Sequence, residues 1–219
     1  MKTQTSNCAR SPEPNEFMPD DYFRRYSPAD IFGNAHPLEI DLGCGDGKFL
    51  LEMAEHYPER NFIGVERLLG RVRGVCRQIE ERKLSNAKVL RLESQYTLEW
   101  LLEPGSVSRL HLLCPDPWPK ARHHKRRLVQ EPFLTALHQA LASDGEFLFK
   151  TDHPDYYEWV CEEMDQFNQN TTRYLPLDWP EPPSDHALFY PKTDFQLHWE
   201  SQGKKIHRLR YRVNGKTAN

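Results

Sequence analysis

The sequence has no long hydrophobic run. None of its 219 residues lies in a stretch of about 18 apolar side chains, the minimum for a membrane-spanning helix. The opening stretch, Met1 to Asp21, has no apolar segment and is rich in Pro, Asn and Glu, which excludes a secretory signal. We therefore expect a protein that neither crosses nor binds a membrane.

Closely spaced cysteines are also missing. Cys8, Cys44, Cys76, Cys114 and Cys161 are odd in number and form no CxxC pair, which argues against a disulfide framework or a zinc site. The candidate metal-binding histidines are His123, His124, His153 and His186. They lack the HxxxH spacing of a helical metal site, so we expect no metal. The pattern favours free thiols in a reducing compartment, the cytoplasm.

The chain has no excess of basic residues. Its 29 Lys and Arg stand against 32 Asp and Glu, for a net charge of -3. Any evidence for nucleic-acid binding must therefore come from local patches. With 38% hydrophobic and 28% charged residues, the composition is typical of one globular domain.

Short apolar runs alternate with longer amphipathic segments. The runs cover residues 38–42, 61–66, 87–92, 108–114 and 145–151, and the candidate helices lie near 47–57, 68–83, 128–141 and 154–168. This alternation predicts an α/β fold of the Rossmann-like type, with a mostly parallel sheet and helices on both faces. Residues 1–36 are predicted to be a flexible tail, and residues 37–219 the single domain.

Two late segments have their own patterns. Residues 176–191 contain so many prolines that they exclude a regular helix or a central strand, so we interpret them as a functional loop. Residues 206–213, IHRLRYRV, alternate basic and other side chains. They predict a late strand with one basic face.

A glycine-rich loop follows the first predicted strand. The sequence DLGCGDG at residues 41–47 places Gly43, Gly45 and Gly47 where a doubly wound fold binds its ligand. Lys48 stands where the dinucleotide fingerprint requires glycine or alanine. The GxGxG spacing instead resembles motif I of the class I methyltransferases.

Acidic residues follow three successive predicted strands. Asp41 can pair with positive charge at the amino end of a cofactor, and Glu66 can accept hydrogen bonds from a ribose diol. Glu93 lies where related enzymes hold an Asp or Asn near adenine. The alternative is that Asp41 and Glu66 only cap helices.

The most informative run is CPDPWPKARHHKRR, residues 114–127, after the fourth predicted strand. Prolines on both sides of Asp116 predict a rigid loop at the carboxyl edge of the sheet. Trp118 can stack on a base or support the loop. Five cations follow: Lys120, Arg122, Lys125, Arg126 and Arg127. They indicate a phosphate-binding patch, and the alternative is a solvated charged face.

This run resembles the PDPW-x-K-x-R-H-x-K-R-R signature of the tRNA (guanine-N7)-methyltransferase family. The resemblance extends over residues 38–213. It includes KTDH at 150–153, and TDFQLHW at 193–199 is similar to the family's T-x-[FY]-E-x-[KR] loop. Gln196 stands in place of the family's Glu, and His198 in place of a Lys or Arg.

The resemblance implies a class I fold with a seven-stranded sheet and an S-adenosylmethionine cofactor that leaves as S-adenosylhomocysteine. The implied cofactor-binding residues are Asp41, Gly43, Gly45, Glu66, Glu93 and Asp116, with Asp116 also catalytic. The implied substrate-binding residues are Lys120, Asp152, Thr193, Asp194, Phe195 and Gln196. The implied partner is tRNA, methylated at guanosine 46 of the variable loop, and either a monomer or a homodimer fits the sequence.

Two rival functions remain open. PDPW also resembles the (D/N)PP(Y/F/W) motif of enzymes that methylate exocyclic amines, although one proline rather than two follows Asp116. A non-catalytic RNA-binding or NAD-binding Rossmann module is the other alternative. Guanine N7 has a lone pair and no proton to lose. The hypothesis of N7 methylation therefore predicts catalysis by alignment of N7, the methyl group and sulfur rather than by a general base.

Overall fold

The computed structural model describes residues 13–179 and 189–215. These residues form eight strands: β1 (Glu16–Phe17), β2 (Leu38–Leu42), β3 (Asn61–Val65), β4 (Ala87–Leu90), β5 (Val107–Leu113), β6 (Leu141–Thr151), β7 (Tyr174–Leu177) and β8 (His207–Val213). The helices are α1 (Pro28–Phe32), α2 (Lys48–His56), α3 (Leu69–Glu81), the single turn α4 (Ser94–Tyr96), α5 (Glu131–Ala140), α6 (Pro154–Asn168) and α7 (Asp194–Ser201). A π-helical turn spans Thr97–Leu101 and a 3-10 helix spans Ala121–Arg126.

The eight strands form one sheet in the order β1-β4-β3-β2-β5-β6-β8-β7. Neighbouring strands from β1 to β6 in this order are parallel, whereas β8 is antiparallel to both β6 and β7. The chain builds outward from β2 to β4 and then returns to β5 on the other side of β2. In such a sheet a crevice opens between the carboxyl ends of the two central strands, here β2 and β5.

The helices cover both faces of the sheet. On one face, α2 and α3 pack on β3 and β4, and α3 buries Val72, Val75, Cys76 and Ile79 at helical spacing. On the other face, α5 and α6 cover the central strands through residues such as Phe133 and Val160. Each fully buried large apolar side chain stabilises the fold by about 1.5–3 kcal/mol. The predicted α/β fold is confirmed.

The predicted elements recur with small shifts. The strand predicted at 145–151 begins four residues earlier, at Leu141. The proline-rich segment includes the end of β7, a strand absent from the prediction. Pro176 is tolerated there because β7 lies at the sheet edge. Residues 180–188 of the predicted loop lie outside the described residues.

The structure differs from the predicted tail over residues 13–36. Strand β1 pairs with β4, adding an eighth strand to the expected seven. Tyr26 is buried, with its amide 2.8 Å from the Leu101 carbonyl oxygen, and Ser27 begins α1 with a capping box. Elements of two and five residues are too short to produce a periodic pattern, so they could not be predicted from the sequence. Residues 1–12 lie outside the described range, and the domain limits stay a prediction.

Candidate active site at the carboxyl edge of the sheet

Gly43, Gly45 and Gly47 all have positive φ angles, as a tight turn between β2 and α2 requires. At Gly47 a side chain is excluded twice, because φ is +81° and an added Cβ would lie 2.7 Å from the Val75 Cγ1. At Gly43 nothing lies within 4 Å of the position of a Cβ. The backbone therefore borders open space on the side where a ligand would approach.

Two adjoining cavities lie above the carboxyl ends of the strands. The first, of about 780 Å³, is lined by Glu66 and Glu93 beside Leu68 and Leu92. The second, of about 370 Å³, is lined by Asp41 and the glycine loop. Residues that line both cavities are Gly43, Arg71, Leu113, Cys114 and Asp116. The predicted cofactor residues thus line two cavities that share a wall, and Asp116 lies in that wall.

Asp41 is a buried acid at the end of β2, with 4% of its surface exposed. Burial, and then the charge of Glu66, raise the pKa of the Asp41 carboxyl to about 7. Among the described residues its carboxylate has no side-chain or cap hydrogen bond, so it does not act as a helix cap. A buried carboxylate of this kind fits a cationic group of a ligand in the second cavity.

Glu66 and Glu93 both make polar contacts inside the protein. Glu66 Oε1 accepts the amides of Arg67 and Leu68 at 2.7 and 2.8 Å, and Glu66 Oε2 lies 3.5 Å from Arg71. Glu93 Oε2 accepts the Tyr96 amide at 2.8 Å and caps α4. These internal hydrogen bonds are compatible with ligand binding, since each residue also lines the first cavity.

The segment after β5 is a loop held in an unusual conformation. Cys114 and Trp118 have φ angles of +51° and +44°, in the left-handed region that non-glycine residues rarely occupy. The Cys114 amide donates to the Lys150 carbonyl oxygen at 2.8 Å, which ties the loop to β6. Asp116 lies between the two strained residues and is exposed toward the cavities.

Arg127 corrects the interpretation of the basic run. We expected it to contact phosphate, but it is 1% exposed and lies over the rings of Tyr156 and Trp159. Its guanidinium pairs with Asp155, and its Nε donates to the Pro117 carbonyl oxygen at 3.0 Å. Arg127 therefore stabilises the loop that carries Asp116. The sequence of the basic run does not show that Arg127 is buried whereas its neighbours are exposed.

The other cations of the run remain on the surface. Lys120, Arg122, Lys125 and Arg126 are exposed on or beside the 3-10 helix. Arg126 lies 4.9 Å from the centre of the Trp118 ring, and both line the first cavity. The 3-10 helix thus presents positive charge immediately beside Asp116.

Asp152 follows β6 at the same edge of the sheet. Its carboxylate lies 3.4 Å from the Lys204 ammonium, which in turn lies 3.2 Å from the centre of the Trp199 ring. Lys120 and Asp152 line neither of the two cavities. Both positions are nevertheless on segments that follow β5 and β6 at this edge.

Thr193, Asp194 and Phe195 line the second cavity at the start of α7. Thr193 caps the helix by accepting the Gln196 amide at 3.0 Å. The Gln196 side chain points inward instead: it is 1% exposed and accepts the Lys150 ammonium at 2.9 Å. Its amide donates to Glu200 at 2.7 Å. In this position Gln196 holds α7 in place.

Two lysines of the site were missed from the sequence. Lys48, the residue after the third glycine, pairs with Asp194 at 2.7 Å. Lys150 is 3% exposed, and burial lowers the pKa of its ammonium to about 8. Their only sequence signal was position, since Lys48 directly follows DLGCGDG and Lys150 is the first residue of KTDH.

Two wider properties concern the described part of the chain. No helix in it combines the length and apolar character needed to cross a bilayer. It also contains no group of three or more His, Cys, Asp or Glu side chains placed to hold a metal ion.

Comparisons with known proteins show the family to which the chain belongs. A family model described as "Putative methyltransferase" matches residues 35–209. The tRNA (guanine-N(7)-)-methyltransferase of Syntrophotalea carbinolica is 37% identical over 86% of this chain and 80% of its own, and that of Geobacter metallireducens is 33% identical over 88% and 90%. The crystal structure of the 16S rRNA methyltransferase KamB shares the fold, with a TM-score of 0.59, 17% identity and coverage of 88% of this chain and 96% of its own. The chain belongs to the family of the tRNA (guanine-N(7)-)-methyltransferases.

Proposed function

We propose that this enzyme transfers the methyl group of S-adenosylmethionine to N7 of a guanosine in tRNA. The observation that carries the proposal is the position of Asp116, which lines both cavities and is followed directly by an exposed basic helix. A nucleoside cofactor and a polyanionic substrate can then meet at one carboxylate. The names of the relatives supply the substrate and the atom.

The two cavities suit the two ends of the cofactor. Glu66 would accept the ribose hydroxyls, and Glu93 would lie near the adenine, in the larger cavity. Asp41 would pair with the amino group in the smaller cavity, next to the backbone of Gly43 and Gly45. When bound, S-adenosylmethionine supplies an electrophilic methyl group. The proposed chemistry uses no metal.

Glu66→Ala is expected to weaken S-adenosylmethionine binding by about 1–3 kcal/mol, the scale of a charge-assisted hydrogen bond. Glu80→Ala, at an exposed position of α3, is the matched control and should bind as the wild type does. Calorimetry on both variants measures the effect. Unchanged affinity in a folded Glu66→Ala protein would remove the ribose contact from the proposal.

In the reaction at N7, the proposed role of Asp116 is to supply a negative charge at a fixed position. The N7 lone pair attacks the methyl carbon as the bond from carbon to sulfur breaks, and no proton leaves the base. The guanine ring gains positive charge, which a nearby carboxylate stabilises. The strained loop and its Arg127 brace would hold Asp116 in place before the substrate arrives.

Asp152 is the proposed partner for the Watson–Crick edge of guanine, whose N1 and amino groups are donors. Lys204 now neutralises this carboxylate. A bound guanine would replace the lysine with two hydrogen-bond donors. Lys204 would then be available to a neighbouring phosphate of the RNA.

The RNA backbone would cross two basic surfaces. One is the helix with Arg122 and Lys125. The other is a groove of about 480 Å³ lined by Lys204, Lys205 and Arg208. Phosphate contacts supply most of the sequence-independent affinity for nucleic acid, so this charge suits a folded RNA better than a free nucleoside.

Replacing Arg122 and Lys125 with Gln is expected to weaken tRNA binding and to reduce its salt dependence. The logarithm of the binding constant falls as the logarithm of the salt concentration rises. The loss of two phosphate contacts should make this slope less negative by about 1.5. Arg77→Gln with Lys83→Gln removes the same charge at exposed positions elsewhere on the chain. Filter binding at several salt concentrations compares the two double variants. Equal slopes for the two double variants would mean that the basic run is only a solvated charged face.

The target is proposed to be guanosine 46, and the cytoplasm remains the predicted location. The rival non-catalytic module predicts no micromolar affinity for S-adenosylmethionine. Mapping modified nucleotides in tRNA from a strain lacking the gene tests the target. Loss of 7-methylguanosine at position 46 supports it, and an unaltered map contradicts it.

A further inference from the structure

The central strands carry a buried polar network on one face. Glu39 of β2 lies 2.8 Å from Arg60 and 3.3 Å from Arg109 of β5. Glu146 of β6 continues the network, 3.2 Å from Arg109 and 2.7 Å from Arg210. The alternation of β-strand side chains places these groups on the same face. The methyl-transfer proposal above uses none of them.

His111 lies at the end of this network nearest the site. Its imidazole is 1% exposed, with Nε2 2.8 Å from the fully buried Glu39 carboxylate and Nδ1 2.8 Å from the Tyr190 hydroxyl. Burial lowers the pKa of His111. Burial alone would raise the pKa of Glu39, but the hydrogen bond from His111 and the nearby guanidiniums of Arg109 and Arg60 hold it below its ordinary value.

These charge states fix the direction of the hydrogen bonds. A neutral His111 donates its Nε2–H to the Glu39 carboxylate, which leaves Nδ1 as an acceptor. Tyr190 must therefore donate its hydroxyl proton to His111. Burial raises the pKa of Tyr190 well above its ordinary value, so the hydroxyl stays protonated. The hydrogen bonds therefore run in one direction, from Tyr190 to His111 to Glu39. We call these three side chains the relay.

Tyr190 is well packed at the end of this relay. Its ring centroid lies 4.8 Å from that of Phe49 and 5.0 Å from that of Trp179, and the Lys150 ammonium lies 4.4 Å from it. Tyr190 also begins the short segment that leads to Thr193, where α7 and the wall of the second cavity start.

We propose that His111, held by Glu39, is a positioning residue that fixes residues 190–196 against the active site through Tyr190. Two further ties support the same segment, from Lys48 to Asp194 and from Lys150 to Gln196. Both involve α7 itself, whereas the relay anchors the chain before the helix begins. The effect on methyl transfer rests on the proposed function, but the anchoring does not.

Tyr190→Phe removes only the hydroxyl of the relay. Because alignment controls the reaction, we expect kcat for tRNA methylation to fall about tenfold, the scale of one buried hydrogen bond left unmade. The KM for tRNA and the affinity for S-adenosylmethionine should change less than kcat, since the phosphate contacts and Glu66 are untouched. Tyr174→Phe is the control, because the buried Tyr174 hydroxyl has no hydrogen-bond partner among the described residues.

His111→Leu and His111→Gln provide the second comparison. Glutamine keeps one donor and one acceptor and should restore most of kcat, whereas leucine should not. Hydrogen exchange of peptides covering residues 189–196 should be faster in Tyr190→Phe and His111→Leu than in the wild type and His111→Gln. This readout needs no catalysis, so it decides the anchoring even if the wild type methylates no tRNA.

Two results would overturn the proposal. Unchanged exchange in Tyr190→Phe would mean that the relay does not anchor the segment. Faster exchange with an unchanged kcat in an active enzyme would mean that the anchoring does not position the reaction. A merely structural role would lower the melting temperature of the variants and leave kcat at the wild-type level.

Discussion

Asp116→Asn is expected to lower the single-turnover rate of tRNA methylation by about a hundredfold, because a preorganised charge is typically worth about 3 kcal/mol in the transition state. Asparagine keeps the size of the side chain and some hydrogen bonding, but it removes the charge opposite the developing guanine cation. Asp116→Ala should be slower still. Rapid-quench measurements with saturating enzyme would report the chemical step.

The pH dependence separates alignment from proton transfer. N7 has no proton to lose, so neither Asp116 variant should acquire a new requirement for high pH. Asp144→Asn, at an exposed position on β6, is the matched control and should react at the wild-type rate. An Asp116→Asn enzyme that recovers its rate as the pH rises would point to a lost general base and contradict the mechanism.

Asp41→Asn should weaken cofactor binding and remove its dependence on pH. Because the pKa of Asp41 is raised to about 7, the ionised carboxylate that pairs with the amino group is increasingly scarce below that pH. Wild-type affinity for S-adenosylmethionine should therefore fall by up to about tenfold per unit between pH 7 and pH 5.5. In Asp41→Asn it should be about ten- to hundredfold weaker at pH 7.5 and flat over the acidic range.

The stability of the free enzyme provides an independent check on Asp41. A carboxyl whose pKa is raised on folding favours the folded state when protonated, and this contribution is lost as the pH rises from about 4 through 7. Asp41→Asn should therefore reduce the fall in the free energy of unfolding across this window. Calorimetric titration and urea unfolding of the same samples measure both effects. A wild-type affinity that is flat from pH 5.5 to 7 would refute the pairing.

Much of the fold was predictable because its signals are local. Residues 38–42 and 154–168 form β2 and α6 with the predicted bounds, since an apolar run and a 3.6-residue period are read directly from the sequence. The glycine loop was predictable for a similar reason, because positive φ angles favour glycine. By contrast, β1 depends on backbone pairing with β4, which two residues cannot signal.

The site residues that belong to sequence motifs could be predicted. Those whose role depends on burial in the folded protein could not. Asp41, Glu66 and Asp116 meet because the carboxyl ends of parallel strands share one edge. The buried role of Arg127 depends on Tyr156 and Trp159, which come from α6. His111 lies between two leucines of β5. Its hydrogen bond with Glu39 could not be predicted, because it depends on the pairing of β5 with β2.

The site of methylation is the most direct test of the central claim. Wild-type enzyme is incubated with unmodified tRNA and labelled S-adenosylmethionine, and the RNA is then digested to nucleosides for mass spectrometry. We predict a single labelled product, 7-methylguanosine, that is strongly reduced with Asp116→Ala. A methyl group on an exocyclic amine, or no methyl transfer to guanine N7 by the wild type, would contradict the account.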